Sequence, residues 1–279
     1  MIACQEKKPY WKIRPQKGWN PLDLLELWAY REVLWMLALR DIKLRYKQTA
    51  LGVVWVILQP LLPGLIFAVI FGKFARLPSD GQPYLLFVFS GLIPWMLFSN
   101  MIQRSGGSLV TEARLITKVY FPRMLVPLAS GVSVLVDFFV SMGLMFFLMV
   151  LYGVPLQPVL GLLPIFLLTA ILLGAGIGLW LSALNVKYRD FMYALPFLVQ
   201  VWMFATPVVY GMAVVPEKWR FLYSFNPMVG VVEGFRLCFL GKSSVGVEHI
   251  ALSVGAALAF FILGSLYFRS VERGFADKL

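Results

Sequence analysis

Few side chains in this sequence stand where a reaction could be run. The chain holds one histidine, His249, and two cysteines, Cys4 and Cys238, far apart in sequence. No metal cluster can be assembled from these, and the cysteines read as small apolar fillers. No G-x-S-x-G elbow or other nucleophile-and-base arrangement is readable. Gly241-Lys242-Ser243 imitates the end of a phosphate loop, but Arg236 stands where that loop needs its first glycine. The chain is therefore expected to bind no ATP through a phosphate loop of its own. Asp137 is the acidic residue set deep in an apolar run, and an ionisable group there is by default a functional candidate. It reads either as a structural carboxylate facing a polar neighbour or as part of a transport path such as a proton relay.

The elements that must carry these groups are membrane helices. Of 279 residues, 60% are apolar and 14% charged, against roughly 25% charged in a soluble domain. The apolar residues come in long runs, so the bilayer must be their solvent. Six spans are expected, at about 49–72, 84–102, 124–153, 159–184, 191–210 and 250–268, giving an all-α polytopic protein. The first span, 24 residues by this reading, reaches about 36 Å, with a kink expected at Gln59, Pro60 and Pro63. The third begins with a turn in the interface. In the fourth, Gly174, Gly176 and Gly178 permit close helix contact.

Ahead of the spans, residues 1–48 form an arm and an interface helix. Lys7, Lys8, Lys12, Arg14 and Lys17 lie among Trp11 and Trp19 at headgroup level. Asn20-Pro21 supplies a helix start, with Asp23 in the first turn. Leu24, Leu27, Trp28, Leu34, Trp35 and Ala38 trace an apolar side, with Arg40, Lys43 and Lys47 on another. Such a helix either anchors at the membrane surface or docks a partner. The polar stretch 104–123 reads as a loop with one short helix, and Asn185 to Asp190 as a turn. Asn226 to Leu240 is too short and, with Glu233 and Arg236, too charged to cross, so a re-entrant or interfacial helix pair is expected before the last span. The first long apolar run starts near Thr49, so no cleavable signal peptide is expected. Residues 270–279 form a basic tail.

Charge sets the orientation. Nineteen of the 25 lysines and arginines fall on one side of these spans, and the positive-inside rule places that side, with both termini, in the cytoplasm. The formal charge of +11 belongs to this pattern and not to nucleic-acid binding, for which no stacking surface or groove-reading helix is present. Trp55, Trp95, Trp180, Trp202, Phe204, Tyr210 and Trp219 fall within or at the ends of spans. They read as interfacial belt and bundle packing, or in a minority as stacking surfaces along a sugar path.

The segment Arg40-Asp-Ile-Lys-Leu-Arg-Tyr-Lys-Gln-Thr-Ala-Leu-Gly-Val-Val-Trp-Val-Ile-Leu-Gln-Pro-Leu61 resembles the opening of ABC-2 type polysaccharide export permeases, which export O-antigen, capsule or teichoic-acid polymers. The resemblance continues through Ser90-Gly-Leu-Ile-Pro-Trp95, Lys118-Val-Tyr-Phe-Pro-Arg123, Leu184-Asn-Val-Lys-Tyr-Arg-Asp190, Thr206-Pro-Val-Val-Tyr210 and Asn226-Pro227 with Glu233 and Arg236. Order and spacing together make it specific.

It implies a homodimeric permease in a bacterial cytoplasmic membrane, served by two copies of a separate ATPase subunit that carries the ATP and Mg. Contacts with that subunit are implied at Arg40, Lys43 and Arg45, at Thr111, Glu112, Arg114 and Lys118, and at Lys187, Tyr188, Arg189 and Asp190. The implied cargo is a glycan on a polyprenyl diphosphate, for which Arg40, Arg45 and Lys47 offer a basic entrance, and Trp55, Trp95, Trp180, Trp202 and Tyr210 a possible path. An ABC-2 permease for a drug or other lipid, or a proton-coupled carrier, is the alternative; the carrier would need more intramembrane carboxylates than Asp137.

Overall fold

The computed structural model describes residues 24–47, 52–79, 81–242 and 246–275. The arm with its Asn20-Pro21 helix start, residues 48–51, Ser243 and the last four residues lie outside them. Among the described residues every regular element is helical. In chain order these are α1 (Leu24–Ala29), α2 (Arg31–Lys47), α3 (Gly52–Phe67), α4 (Tyr84–Thr111), α5 (Ala113–Lys118), α6 (Leu125–Tyr152), α7 (Leu163–Lys187), α8 (Phe191–Phe204), α9 (Glu217–Ser224), α10 (Pro227–Leu240) and α11 (Val247–Val271).

Five helical stretches are long and apolar enough to cross a bilayer: Val54–Phe74, Tyr84–Thr111, Leu125–Tyr152, Pro158–Lys187 and Glu248–Val271. The shortest has 21 residues, about 31 Å at 1.5 Å per residue, which matches a hydrocarbon core of about 30 Å. The expected fifth span appears as α8, with 14 helical residues that cover about 21 Å. Residues 205–211 then continue without a long helix. The chain is a multi-pass membrane protein.

Helix α4 is the hub, buried along almost its whole length and packed against α3, α6, α7 and α10. Glycines set how closely its neighbours approach. A Cβ on Gly178 would lie 2.6 Å from Ser105 Cβ of α4, and one on Gly174 3.0 Å from Met101 Sδ. On the opposite face of α7, a Cβ on Gly176 would lie 2.5 Å from the Phe261 nitrogen of α11, and one on Gly264 would collide with the Gly176 carbonyl oxygen. The three glycines read from the sequence thus serve two seams, with Gly264 completing the second.

Several expectations need correction. Helix α4 does not stop at residue 102; it continues through Arg104 and Gly106-Gly107 to Thr111. The glycines do not break it because they are packing positions: Asn185 Nδ2 donates to the Gly106 carbonyl at 2.7 Å, and a Gly106 Cβ would lie 3.2 Å from Leu195. The first span is helical through Pro60 and Pro63, where the sequence expects a kink, and its ladder widens to a π-helix over Ala68–Phe74, which the sequence did not signal. There Gly72 lies against the Tyr84 ring, where a Cβ would approach Cγ to 2.8 Å.

The apolar side of α2 is rotated from the sequence reading. Leu27, Tyr30, Val33, Leu34, Leu37 and Ala38 face the bundle, while Trp28 (69%) and Trp35 (56%) are exposed. Nor does α2 cross the bundle at one point. Asp41 accepts from Ser130 Oγ and Arg45 pairs with Asp137, so four residues of α2 follow seven of α6 in the same direction. The last turns of α2 run alongside α6 because both carboxylate contacts pull them there.

Helix α10 is buried on nearly every side against α4, α7 and α11, and its 14 residues are too few to cross. Asn226 caps it, its side chain accepting from Met228 N at 3.1 Å, with Pro227 at the first helical position. Gly241 closes it in the left-handed region at φ 70°.

Replacing Gly264 by valine should abolish monodisperse, correctly inserted protein, since the new methyl groups meet backbone that cannot yield. Gly143→Ala and Gly255→Ala, where nothing lies within 4 Å, should shift the melting temperature by no more than a few degrees. Size-exclusion profiles and thermal unfolding in detergent check both.

Candidate functional site

At one end of the bundle, a second apolar cluster gathers elements distant in sequence. Leu109 of α4, Ile116 of α5, Phe121, Met124 and Leu125 at the start of α6, Leu179, Ala183 and Val186 of α7, Phe268 of α11 and Phe275 after it pack together, with α1 and α2 against them. Arg123 closes this end: its backbone N–H donates to Glu272 Oε1 at 3.0 Å and its guanidinium to the Glu272 carbonyl at 2.5 Å. We call it the basic end.

The residues assigned to partner contacts come together there. Thr111, Arg114, Lys118, Lys187, Tyr188, Arg189 and Asp190 are all exposed, as is Lys43. The Lys187 ammonium lies 4.8 Å from the centre of the Tyr188 ring. Arg40 is only partly exposed and is held between Asp41 (2.8 Å) and Glu112 (2.7 Å), which fastens α2 to the end of α4. Partial burial of the Arg40 guanidinium opposes its charge, but the hydrogen bonds to Asp41 and Glu112 outweigh it and hold its pKa above the ordinary arginine value. Val119 and Tyr120, the latter 82% exposed, project at the same end. Sequence reasoning quoted them within a motif without assigning them a contact role.

Of the entrance cations, Arg45 is hydrogen-bonded to Asp137, Arg40 is committed to its two carboxylates, and Lys47 is exposed. The polar neighbour expected for Asp137 is thus Arg45, 92 residues away in the chain. Nothing local signals that pairing.

The possible path residues do not share one surface. Trp95 is buried beside Phe98, their ring centroids 5.5 Å apart, and Phe98 meets Trp202 edge to face at 5.1 Å. Trp202 Nε1 donates to Asn226 Oδ1 at 3.1 Å, and Asn226 Nδ2 donates to Thr206 Oγ1 at 2.9 Å. The Tyr210 hydroxyl bonds the Phe204 carbonyl and the Tyr223 hydroxyl, both at 2.8 Å. Trp180 rests edge-on against Tyr267 at the rim of α7, and Trp55 is exposed on α3.

Glu233 and Arg236 form the deepest polar node. Both are 2% exposed, joined at 2.6 Å. Arg236 Nη2 also donates to the Val208 carbonyl at 2.7 Å and Nη1 to that of Tyr210 at 3.2 Å, while its guanidinium carbon lies 4.0 Å from the centre of the Phe87 ring. Gly91 makes room, since a Cβ there would lie 2.7 Å from Val208 O. Counted from sequence among the outward cations, Arg236 is instead sealed inside the protein, so it carries no weight in the orientation count and widens the asymmetry.

These motifs all lie within the segment that matches a known family. The profile of the ABC-2 type transporter family matches residues 32–240, three quarters of the sequence. The chain belongs to this family. Among relatives of this ABC-2 transporter chain is the O-antigen export system permease protein RfbA of Myxococcus xanthus, 30% identical over 258 residues, covering 91% of the chain and 98% of the relative. Another is the RfbA protein of Klebsiella pneumoniae, 27% identical across 89% of the chain and 95% of the relative. The polysialic acid transport protein KpsM of Escherichia coli is 26% identical across 83% of the chain and 90% of the relative. ABC-2 chains are transporter membrane components, so the absence of a readable catalytic constellation accords with the family.

Removing either partner of the Glu233–Arg236 pair should cost about 3–5 kcal/mol, because a buried charge is left uncompensated. Arg236→Lys should fail to restore stability. A single ammonium cannot hold Glu233, two carbonyls and the Phe87 face together. Unfolding of the purified variants in detergent measures both.

Proposed function

We propose that this chain is the membrane permease subunit of an ATP-driven exporter that moves a lipid-linked polysaccharide across the bacterial cytoplasmic membrane. The observation that carries the reading is the match to the RfbA permease over 91% of this chain and 98% of the relative, which leaves little room for a different architecture. The RfbA and KpsM matches together support a polysaccharide cargo as a class and not one particular polymer.

In this reading the basic end faces the cytoplasm, with both termini, and the six-span topology counts α8 together with the irregular residues that follow it, to about residue 210, as the fifth crossing. ATP and Mg reside on a separate ATPase subunit, two copies of which serve a homodimer of this chain. The second copy covers part of the apolar faces left open on α3 and α8, where Trp55, Ile66, Phe197 and Phe204 are exposed. The ATPase meets the exposed Arg114, Lys118 and Lys187 to Asp190. Its closure then acts on α4 through Glu112 and on α2 through Arg40, since that ion pair bridges them. The buried Glu233–Arg236 pair and α10 form the fixed outer half against which the spans move. Engagement of Asp137 by Arg45 weighs against a proton-coupled carrier, which needs a carboxylate that exchanges protons freely.

Lys187→Glu with Arg189→Glu should leave the permease folded, since both are exposed, yet abolish co-purification of the ATPase subunit and reduce surface polymer at least tenfold. Affinity purification and polymer-specific staining read the two effects. Undiminished ATPase binding would remove this turn from the docking surface.

A further inference from the structure

Arg45 and Asp137 join the end of α2 to the middle of α6, and the coupling described above does not use them. Their contact borders a narrow cleft between α3, α4 and α6, whose polar lining is Gln59, Asn100, Asp137 and Ser141 amid apolar side chains such as Val134 and Phe138. A carboxylate in such surroundings is stable only with a partner, and Arg45 is placed to supply the charge.

The two side chains retain 23% and 12% exposure, so an incoming group can reach them. Arg40, by contrast, is clamped between two carboxylates. A guanidinium binds paired phosphate oxygens as well as it binds a carboxylate, and a diphosphate brings more charge to the same fork.

We propose that Asp137 is a resident stand-in for an anionic headgroup: a lipid diphosphate entering from the basic end takes Arg45 from Asp137, and the exchange frees the end of α2 from α6. This rests on the export reading and adds a mechanism to it. The loading of cargo then becomes a mechanical event in the same helix that Arg40 fastens to α4. Once the guanidinium leaves, the amides of Gln59 and Asn100, which line the same cleft, offer donors to the Asp137 carboxylate.

The test uses the full chain in nanodiscs of zwitterionic lipid, with farnesyl diphosphate as probe. Asp137→Asn removes the competitor without changing shape. It should tighten binding roughly tenfold if the closed pair dominates by about that factor. Arg45→Gln should weaken binding to the level of the variant that combines it with Asp137→Asn. Spin labels at Leu44→Cys and Phe139→Cys, both exposed positions, placed on a background with Cys4 and Cys238 replaced by alanine, should move apart when the probe is added. In Asp137→Asn they should start apart.

Parallel arms use inorganic pyrophosphate and discs containing phosphatidylglycerol. A gain confined to either arm overturns the lipid-diphosphate assignment, and so does an Asp137→Asn chain that binds farnesyl diphosphate no more tightly than the native one. Deleting the chain and scoring surface polymer tests the export reading separately. Lost export with a failed binding test sinks only the exchange, whereas intact export sinks the function on which it rests.

Discussion

A charge inside hydrocarbon must be satisfied by the protein itself, and the environment of Arg236 is the clearest consequence of that rule in this chain. The guanidinium gathers an acid one helical turn away, two carbonyls from the 206–210 segment and the face of Phe87 on α4. Three elements are thereby fixed together by donors and acceptors that would each be costly alone. The irregular backbone of 205–211 is tolerated at this depth because its carbonyls face Arg236, Asn226 and Tyr84 rather than lipid. Tyr84, for instance, donates to the Val209 carbonyl at 2.8 Å. The short buried α10 could not hold its place without this anchoring, since a helix of its length gains little from spanning.

A second constraint acts at the opposite end. The glycine seams let α7 approach α11 until backbone meets backbone, and α4 until the α7 backbone meets the Ser105 and Met101 side chains, which brings the ends of these helices close enough to share one apolar cluster. On that platform stand the exposed Lys187 to Asp190 turn and α5. Polar ties, not apolar packing alone, attach α2: Arg40 to Glu112 and Arg45 to Asp137. Ion pairs that are partly exposed contribute modestly to stability. They can therefore be exchanged during a working cycle, where the sealed Glu233–Arg236 pair cannot. In the proposed cycle the molecule divides into a fixed half and an adjustable half according to how well its charges are hidden.

Sequence alone established that the bilayer is the solvent, that the fold is helical, and where five of the six expected spans run. These follow from long runs of apolar residues and the placement of lysine and arginine, which act locally and can be read without a fold. Family motifs also marked as a set residues that the structure leaves exposed at one end, although no single fragment explained why they belong together. Tertiary structure alone decided which glycines end helices and which admit neighbours, because a glycine's role depends on what stands opposite it; Gly106 looked like a break and proved to be a contact. It also decided which face of α2 is buried and that Arg236 is sealed inside. Above all it found the partner of Asp137. That partner lies 92 residues earlier, and the energy of an ion pair depends on distance in space, which periodicity along the chain does not encode.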